Sequence, residues 1–282
     1  MVDYHTHTKL CKHAKGEIED YVKKAIEKNL TEIGISDHMP LPYKFDPEHR
    51  MELNEFKIYK DWFESAVEKF GGKIKLRFGI EAEFIEDEID FVKDFIKRGD
   101  FDYVIGSVHF LNDWVENLGE PYGTDYILEY WNIASHKEEW RWNGKDVDVV
   151  YENYYHTMKE LVKSGLFDIV GHFDLIKKFG HRANKNFDEL ISEILKLIKK
   201  NDLCIEINTS GLRQKINEIY PSEKILKMIH DYKIPLTLGS DAHTPDDVGR
   251  DFDIALALIE RYGDGKISIF EKRRRSEIKI SY

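Results

Sequence analysis

The sequence predicts a parallel α/β barrel of seven strands, and three observations carry that reading. Short apolar runs alternate with amphipathic segments of helical period along all 282 residues, the pattern of a parallel sheet covered by helices. No internal repeat, low-complexity tract or Pro/Gly/Ser-rich linker divides the chain, so residues 1–282 are expected to form one domain. No GxGxxG or Walker-type loop follows any strand, which removes the usual reason to choose an open nucleotide-binding sheet. Seven strands are one short of the common eight-stranded barrel, and an open doubly wound sheet is the architectural competitor.

The elements follow in order. Val2–His5 reads as the first strand and Glu17–Asn29 as a helix with Ile18, Tyr21, Val22, Ala25 and Ile26 on one stripe. Glu32–Asp37 is the second strand, Leu53–Phe70 helical, and Ile74–Ala82 the third strand. Ile85–Lys97 is helical, with Ile85, Ile89, Val92 and Ile96 spaced for burial, and Phe101–Val108 is the fourth strand. After an aromatic insert at about 110–146, Val149–Lys163 is a helix, Phe167–Gly171 a strand, Phe187–Lys200 a helix and Leu203–Ile207 a strand. Ser222–Asp231, Pro235–Gly239 and Phe252–Arg261 close the series as helix, strand and helix. In the tail from Ile267, Lys272-Arg273-Arg274-Arg275 lies between β-prone segments and reads as a solvated edge strand, because basic side chains on an edge block unwanted pairing.

Composition narrows the function. Forty-two basic against 53 acidic residues give a net charge of −11, which argues against a broad nucleic-acid footprint. No run of 18 apolar residues exists, and the first residues lack the basic start and apolar stretch of a signal peptide. The two cysteines, Cys11 and Cys204, make no disulfide framework. A cytoplasmic protein without membrane or nucleic-acid partners is expected. Nothing in the sequence speaks to its oligomeric state.

The chemistry lies at the strand ends. His5-Thr6-His7 follows the first strand, and residues two apart share a face of an extended segment, so both imidazoles can reach one ion. His38 closes the second strand, Glu81 the third, His109 the fourth and His172 the fifth; Asp241 and His243, again two apart, close the seventh. In a parallel barrel all these ends lie on one rim. With His13 from the first loop, seven of the 12 histidines and two carboxylates gather there, too many for a single tetrahedral zinc. Two or three divalent ions are expected, with Glu81 able to span two cations about 3.5–4 Å apart. The mixed ligand set suits zinc, manganese or iron(II).

Other residues leave choices open. Cys11 can ligate beside His13 or simply pack, whereas Cys204, within a strand, reads as core. Glu83 shares the face of Glu81 and replaces it if the strand runs longer; Asp37 reads as a residue that orients an imidazole. The sixth strand, ending at Glu206-Ile207-Asn208, offers no obvious ligand, and His49, His136, His156, His181 and His230 are read as surface or substrate-pocket residues.

The ordered set His5-x-His7, His13, Asp37-His38, Gly79-Ile80-Glu81, Gly106-Ser107-Val108-His109, Gly171-His172 and Ser240-Asp241-x-His243 resembles the PHP (polymerase and histidinol phosphatase) superfamily across nearly the whole chain. The wording around Asp102–Phe110 and Glu206–Arg213 is similar to its monofunctional histidinol-phosphatases. That resemblance implies a distorted seven-stranded barrel with a trinuclear site. His5, His7, Glu81 and Asp241 would hold one ion, Glu81 would bridge to a second held by His109 and His172, and His13, His38 and His243 would hold a third; relatives have aspartate where His13 stands. It also implies hydrolysis of L-histidinol phosphate, with hydroxide formed from water held near Glu81 and Asp241; no activated serine or cysteine motif is present, so attack without a phosphoenzyme is expected.

Arginine can hold phosphate bidentately, and Arg182, Arg213 and, less directly, Arg141 are the candidates. The insert carries Trp114, Trp131, Trp140 and Trp142, whose aromatics form either a lid over the site or a small core of their own. Competing readings are a nuclease or nucleotide phosphatase of the same superfamily, a tyrosine-phosphoprotein phosphatase and a non-catalytic metal-binding module. A metal-dependent amidohydrolase is disfavoured, because Glu81 stands where a bridging lysine is expected.

Overall fold

A computed structural model describes residues 1–280 apart from 43, 44, 46 and 118–124; at 114–117 and 125–129 it describes the backbone alone. The first part of the chain runs β1 (Val2–Asp3), α1 (Ile18–Glu27), β2 (Glu32–Ile35), α2 (Phe56–Phe70), β3 (Lys75–Glu83), α3 (Ile89–Gly99) and β4 (Tyr103–Ser107). The insert supplies β5 (Phe110–Asn117) and β6 (Asp125–Asn132). Then follow α4 (Val147–Ser164), β7 (Ile169–Val170), α5 (Asp188–Lys200), β8 (Cys204–Asn208), α6 (Glu223–Asp231), β9 (Leu236–Gly239), α7 (Phe252–Tyr262), β10 (Lys266–Glu271) and β11 (Arg274–Lys279).

Seven strands pair in parallel in the order β1-β2-β3-β4-β7-β8-β9. Beyond the formal strands the two edges meet: Tyr4 N–H donates to Leu238 O (3.0 Å), Ala242 N–H to His5 O (3.2 Å) and His7 N–H to Ala242 O (2.9 Å). The sheet is therefore a nearly closed barrel, and the chain from Tyr4 to His7 belongs to its wall. All seven barrel strands were legible as apolar runs. β1 and β7 shrink to two residues each, so the barrel is distorted.

Helices pack outside, burying the predicted stripes. α1 buries Ile18, Tyr21, Val22 and Ala25, and its first turn is closed by a reciprocal Glu17/Asp20 capping box. α3 buries Val92, Phe95 and Ile96; Ile85 precedes the helix and packs with Phe45 and Phe110 instead. Inside the barrel, the Tyr103 ring lies across Gly34 and Gly79, where any Cβ would collide with it, and Tyr103 Oη donates to Tyr4 O (2.6 Å). Gly34 thus makes room for Tyr103.

Two segments gain definition in the structure. The insert holds an antiparallel hairpin, β5–β6. Trp131 and Trp142 are buried edge-to-face at 5.1 Å and join the main hydrophobic core rather than a small core of the insert's own, whereas Trp140 is exposed. Residues 118–124 and the side chain of Trp114 lie outside the described residues. The basic tail is the exposed edge strand expected, with every residue of β11 exposed or half-buried, and Arg273 departs from a solvated role. β10 and β11 form a hairpin whose turn is Lys272-Arg273, both in the left-handed region. Arg273 turns under the barrel, gripping Asp168 through Nε (2.7 Å) and Nη2 (3.0 Å) and donating to Leu166 O (2.6 Å). Among the described residues no helix is long and apolar enough to cross a membrane.

Candidate metal centre

Strand periodicity aims the ligands. Glu81 and Glu83 point inward from β3, Ser107 from the end of β4, and the residues just past the strand ends crown the rim. The structure brings all nine predicted ligands together at one rim, five of the imidazoles directly against Glu81. Its Oε2 faces His38 Nδ1 (2.9 Å), His5 Nε2 (3.3 Å) and His7 Nε2 (3.6 Å). Its Oε1 faces His172 Nε2 (2.9 Å) and His109 Nε2 (3.6 Å) and accepts from Ser107 Oγ (2.6 Å). Asp241 Oδ1 lies 3.1 Å from His7 Nε2, 3.7 Å from His5 Nε2 and 3.5 Å from His243 Nδ1. His243 stacks on His7 at 4.1 Å between ring centroids, with the rim residue His13 at 4.5 Å from His243. His38 sits between the groups, 5.3 Å from the His13 ring.

The donor set fits metal ions. A tetrahedral site with bonds of about 2.1 Å has ligand–ligand edges of roughly 3.4 Å. The four separations linking His5 and His7 to Glu81 and Asp241 run from 3.1 to 3.7 Å. His5 Nε2, His7 Nδ1 and His172 Nδ1 are buried without a hydrogen-bond partner, a costly arrangement unless an ion or ligand satisfies them. Ligand atoms of His5, His7 and Glu81, of His5, His172 and Asp241, and of His7, His38 and His243 each lie within 4.8 Å of one another. Cys11, with its thiol pushed well up by burial, also joins such groups, with His13 and His243 or with His7 and Asp37.

Carboxylates behind the imidazoles fix their orientation. Glu206, on the strand without a ligand, holds His5 Nδ1 at 2.9 Å and accepts from His172 N–H (2.7 Å). Glu83 holds His109 Nδ1 at 2.9 Å and accepts from its N–H (2.7 Å), so it backs His109 instead of replacing Glu81. Asp37 accepts from Thr8 N–H (3.2 Å) and lies 3.6 Å from His7 Nδ1. The sequence marked Glu206 only as the end of a strand; an acid at a fully buried barrel position was the available signal.

Burial opposes protonation of His7, but Asp241 and Asp37, joined by Glu81, outweigh it and raise its pKa to about 9. Burial likewise opposes charge on His5, while Glu206, Asp241 and Glu81 hold its pKa well above normal. Burial also works against ionised Glu81 and Asp241, yet the surrounding imidazoles keep both well below the usual carboxylate range. His38 and His243 go the other way: burial, with His7 nearby, drives both far down.

The rim opens into a cavity of about 520 Å³. One wall comes from the insert through Asn132, Ser135 and His136, and Arg213, Lys178, Arg50 and His49 complete the polar lining. Arg213 is anchored there by donating to Ser240 O (2.5 Å). Lys178, which composition and spacing did not single out, donates to Ala134 O (2.6 Å); burial lowers its pKa, opposed by Asp241 and Glu81. Arg182 and Arg141 do not line the cavity. Arg182 is exposed and paired with Glu218 (2.8 Å), and Arg141 is turned into the insert against Asp113 (2.8 Å), which Lys145 also meets (2.5 Å). Of the other histidines His49 and His136 reach the cavity; His156, His181 and His230 are not part of its lining.

A parallel barrel with imidazoles and carboxylates converging at the carboxyl ends of its strands defines a barrel protein with a candidate polynuclear metal centre. This chain belongs to the PHP domain family, whose model matches residues 3–210. A Deinococcus radiodurans protein named "Probable histidinol-phosphatase" is 34% identical over 274 residues, covering 97% of this chain and 98% of the relative. The histidinol-phosphatase of Bacillus subtilis is 30% identical over 278 residues, covering 92% and 98%. The fold is also that of the Lactococcus lactis histidinol phosphate phosphatase, solved with zinc, L-histidinol and phosphate: TM-score 0.76, 23% identity and 98% of each chain covered.

Proposed function

We propose that this protein is a metal-dependent phosphomonoesterase that hydrolyses L-histidinol phosphate to L-histidinol and phosphate, a step of histidine biosynthesis. The observation that carries the reading is Glu81, whose two oxygens face two separate sets of imidazoles at the floor of a polar cavity. Full-length similarity to histidinol-phosphatases supports the substrate. The cofactors are two or three divalent ions, zinc, manganese or iron(II).

His5, His7, Glu81 and Asp241 would hold one ion, Glu81 with His109 and His172 a second, and His13, His38 and His243 a third. Bound there, the ions neutralise phosphoryl oxygens and lower the pKa of water to about 7. The chain does the rest by placement. Glu206 and Glu83 lock the imidazoles that their carboxylates touch, so little reorganisation accompanies turnover. Arg213 and Lys178, both in the cavity lining, offer donors to the remaining phosphoryl oxygens. Asn132, Ser135 and His136 face the space left for the amino-alcohol. Water attacks phosphorus directly, and no phosphoenzyme forms.

Residues 1–282 act as one domain: Phe270 N–H donates to Tyr4 Oη (3.1 Å), tying the tail to the first strand. The buried, unbridged cysteines suit the cytoplasm. The test is a steady-state screen of histidinol phosphate, single-stranded DNA, a nucleoside bisphosphate and a phosphotyrosine peptide, before and after chelation and reloading with a defined metal. Preferred hydrolysis of histidinol phosphate, lost on chelation and restored by metal, is expected. Preference for a nucleotide or phosphopeptide would replace the substrate assignment, and activity indifferent to chelation would overturn the metal mechanism.

A further inference from the structure

A second cavity, of about 250 Å³, opens at the opposite end of the barrel, between the amino-terminal end of β9, the end of α7 and the β10–β11 hairpin. Its lining carries four cations, Lys199, Lys233, Lys266 and Arg275, against two carboxylates, Asp264 and Glu277. In a chain of net charge −11 this local excess of positive charge runs against the composition.

The cations are not used up by their neighbours. Lys199 donates to a backbone oxygen, Lys233 O (2.8 Å), and among the described residues Lys233 has no carboxylate within 4 Å. Lys266 reaches Glu277 only at 3.4 Å. Arg275 gives its two terminal nitrogens to Asp202 (2.6 Å) and Glu277 (3.2 Å), while its Nε is buried without a partner. Ser268, 1% exposed, also lines the cavity with an unpartnered Oγ; the adjacent Cys204 thiol is directed to Ile205 O (3.7 Å). Two unsatisfied buried groups under a ring of lysines make a cradle that an acceptor-rich anion completes, because each unmet donor costs more than a made hydrogen bond returns.

We infer that this cavity at the foot of the barrel binds a small tetrahedral oxyanion, a phosphate ion or phosphate ester head, separately from the metal centre. The anion joins the α6–β9 loop, the α7–β10 loop and β11, and so clamps the C-terminal hairpin to the barrel.

The experiment uses the metal-loaded protein titrated with inorganic phosphate, and in a parallel arm with methyl phosphate, while backbone amide shifts are followed. Saturable shifts are expected at Gly263 to Lys266, Ser268 and Arg275 with at least one of the two ligands, and not with sodium chloride at matched ionic strength. The Lys233→Ala/Lys266→Ala double variant should bind about tenfold more weakly at this end, with hydrolysis at the metal centre unchanged. Ser268→Ala, which deletes the buried hydroxyl in the cavity lining, should weaken the same shifts. Shifts reproduced by chloride, or an affinity unaffected in both variants, would overturn the assignment.

Discussion

His5 Nδ1 lies 2.9 Å from Glu206 Oε2, with both side chains buried. Glu206 belongs to β8, which contributes no ligand at its carboxyl end, so that strand supplies the group that aims a ligand from another. The same carboxylate accepts from His172 N–H (2.7 Å) and Asn208 Nδ2 (2.9 Å), and one side chain thereby sets two imidazole-bearing segments.

Glu206→Gln keeps the shape and removes the charge. Metal affinity should fall about 10- to 100-fold, measured by competition with a chromophoric chelator. An affinity equal to that of the unmodified protein would show that His5 needs no such support.

Glu81→Gln should lower turnover by at least about a thousandfold, because several kcal/mol of transition-state stabilisation depend on the bridged ions. Elemental analysis should show fewer ions per chain. Unchanged metal content with unchanged rate would contradict the bridging role.

Protons on His5 and His7 compete with metal. Both pKa values are raised, His7 to about 9, so protein stripped of metal carries protons there at neutral pH and must release them on loading. Calorimetric titration at pH 7 in buffers of different ionisation enthalpy should reveal proton release, and metal affinity should rise as pH is raised toward 9. In stripped protein the raised His7 value stabilises the fold fully below the unfolded pKa of about 6.5, and that contribution disappears as pH climbs through about 9. Thermal midpoints in chelator should fall across this window; a flat profile together with no proton release would refute the assignment.

Arg213→Lys and Lys178→Met should each lower kcat/KM roughly 10- to 100-fold, the worth of a charge-assisted hydrogen bond to phosphate. Arg182→Ala, outside the cavity, should leave it within about twofold. A steady-state comparison of the three variants decides, and a larger loss in Arg182→Ala than in Arg213→Lys would reverse the placement.

Arg273→Ala removes the grip on Asp168 beneath the barrel. Because the pair is partly exposed, a loss of about 1–2 kcal/mol is expected in denaturant unfolding, with kcat unchanged. A variant as stable as the parent would show that the Arg273 grip contributes nothing to the fold.

By itself the sequence determined the alternation of strands and helices, the seven barrel strands and the nine imidazole and carboxylate side chains that the structure gathers at one rim. These are local properties: strand ends are marked by apolar runs, and a residue just past a parallel strand reaches the common rim whatever its neighbours do. Tertiary structure decided which side chains serve one another. Glu206, Glu83 and Lys178 acquire roles from residues 26 to more than 200 positions away. Arg141 and Arg182, equally plausible as arginines in sequence, are taken by Asp113 and Glu218. Charge pairing across such separations depends on which elements the barrel brings into contact, and periodicity along one chain segment carries no record of that.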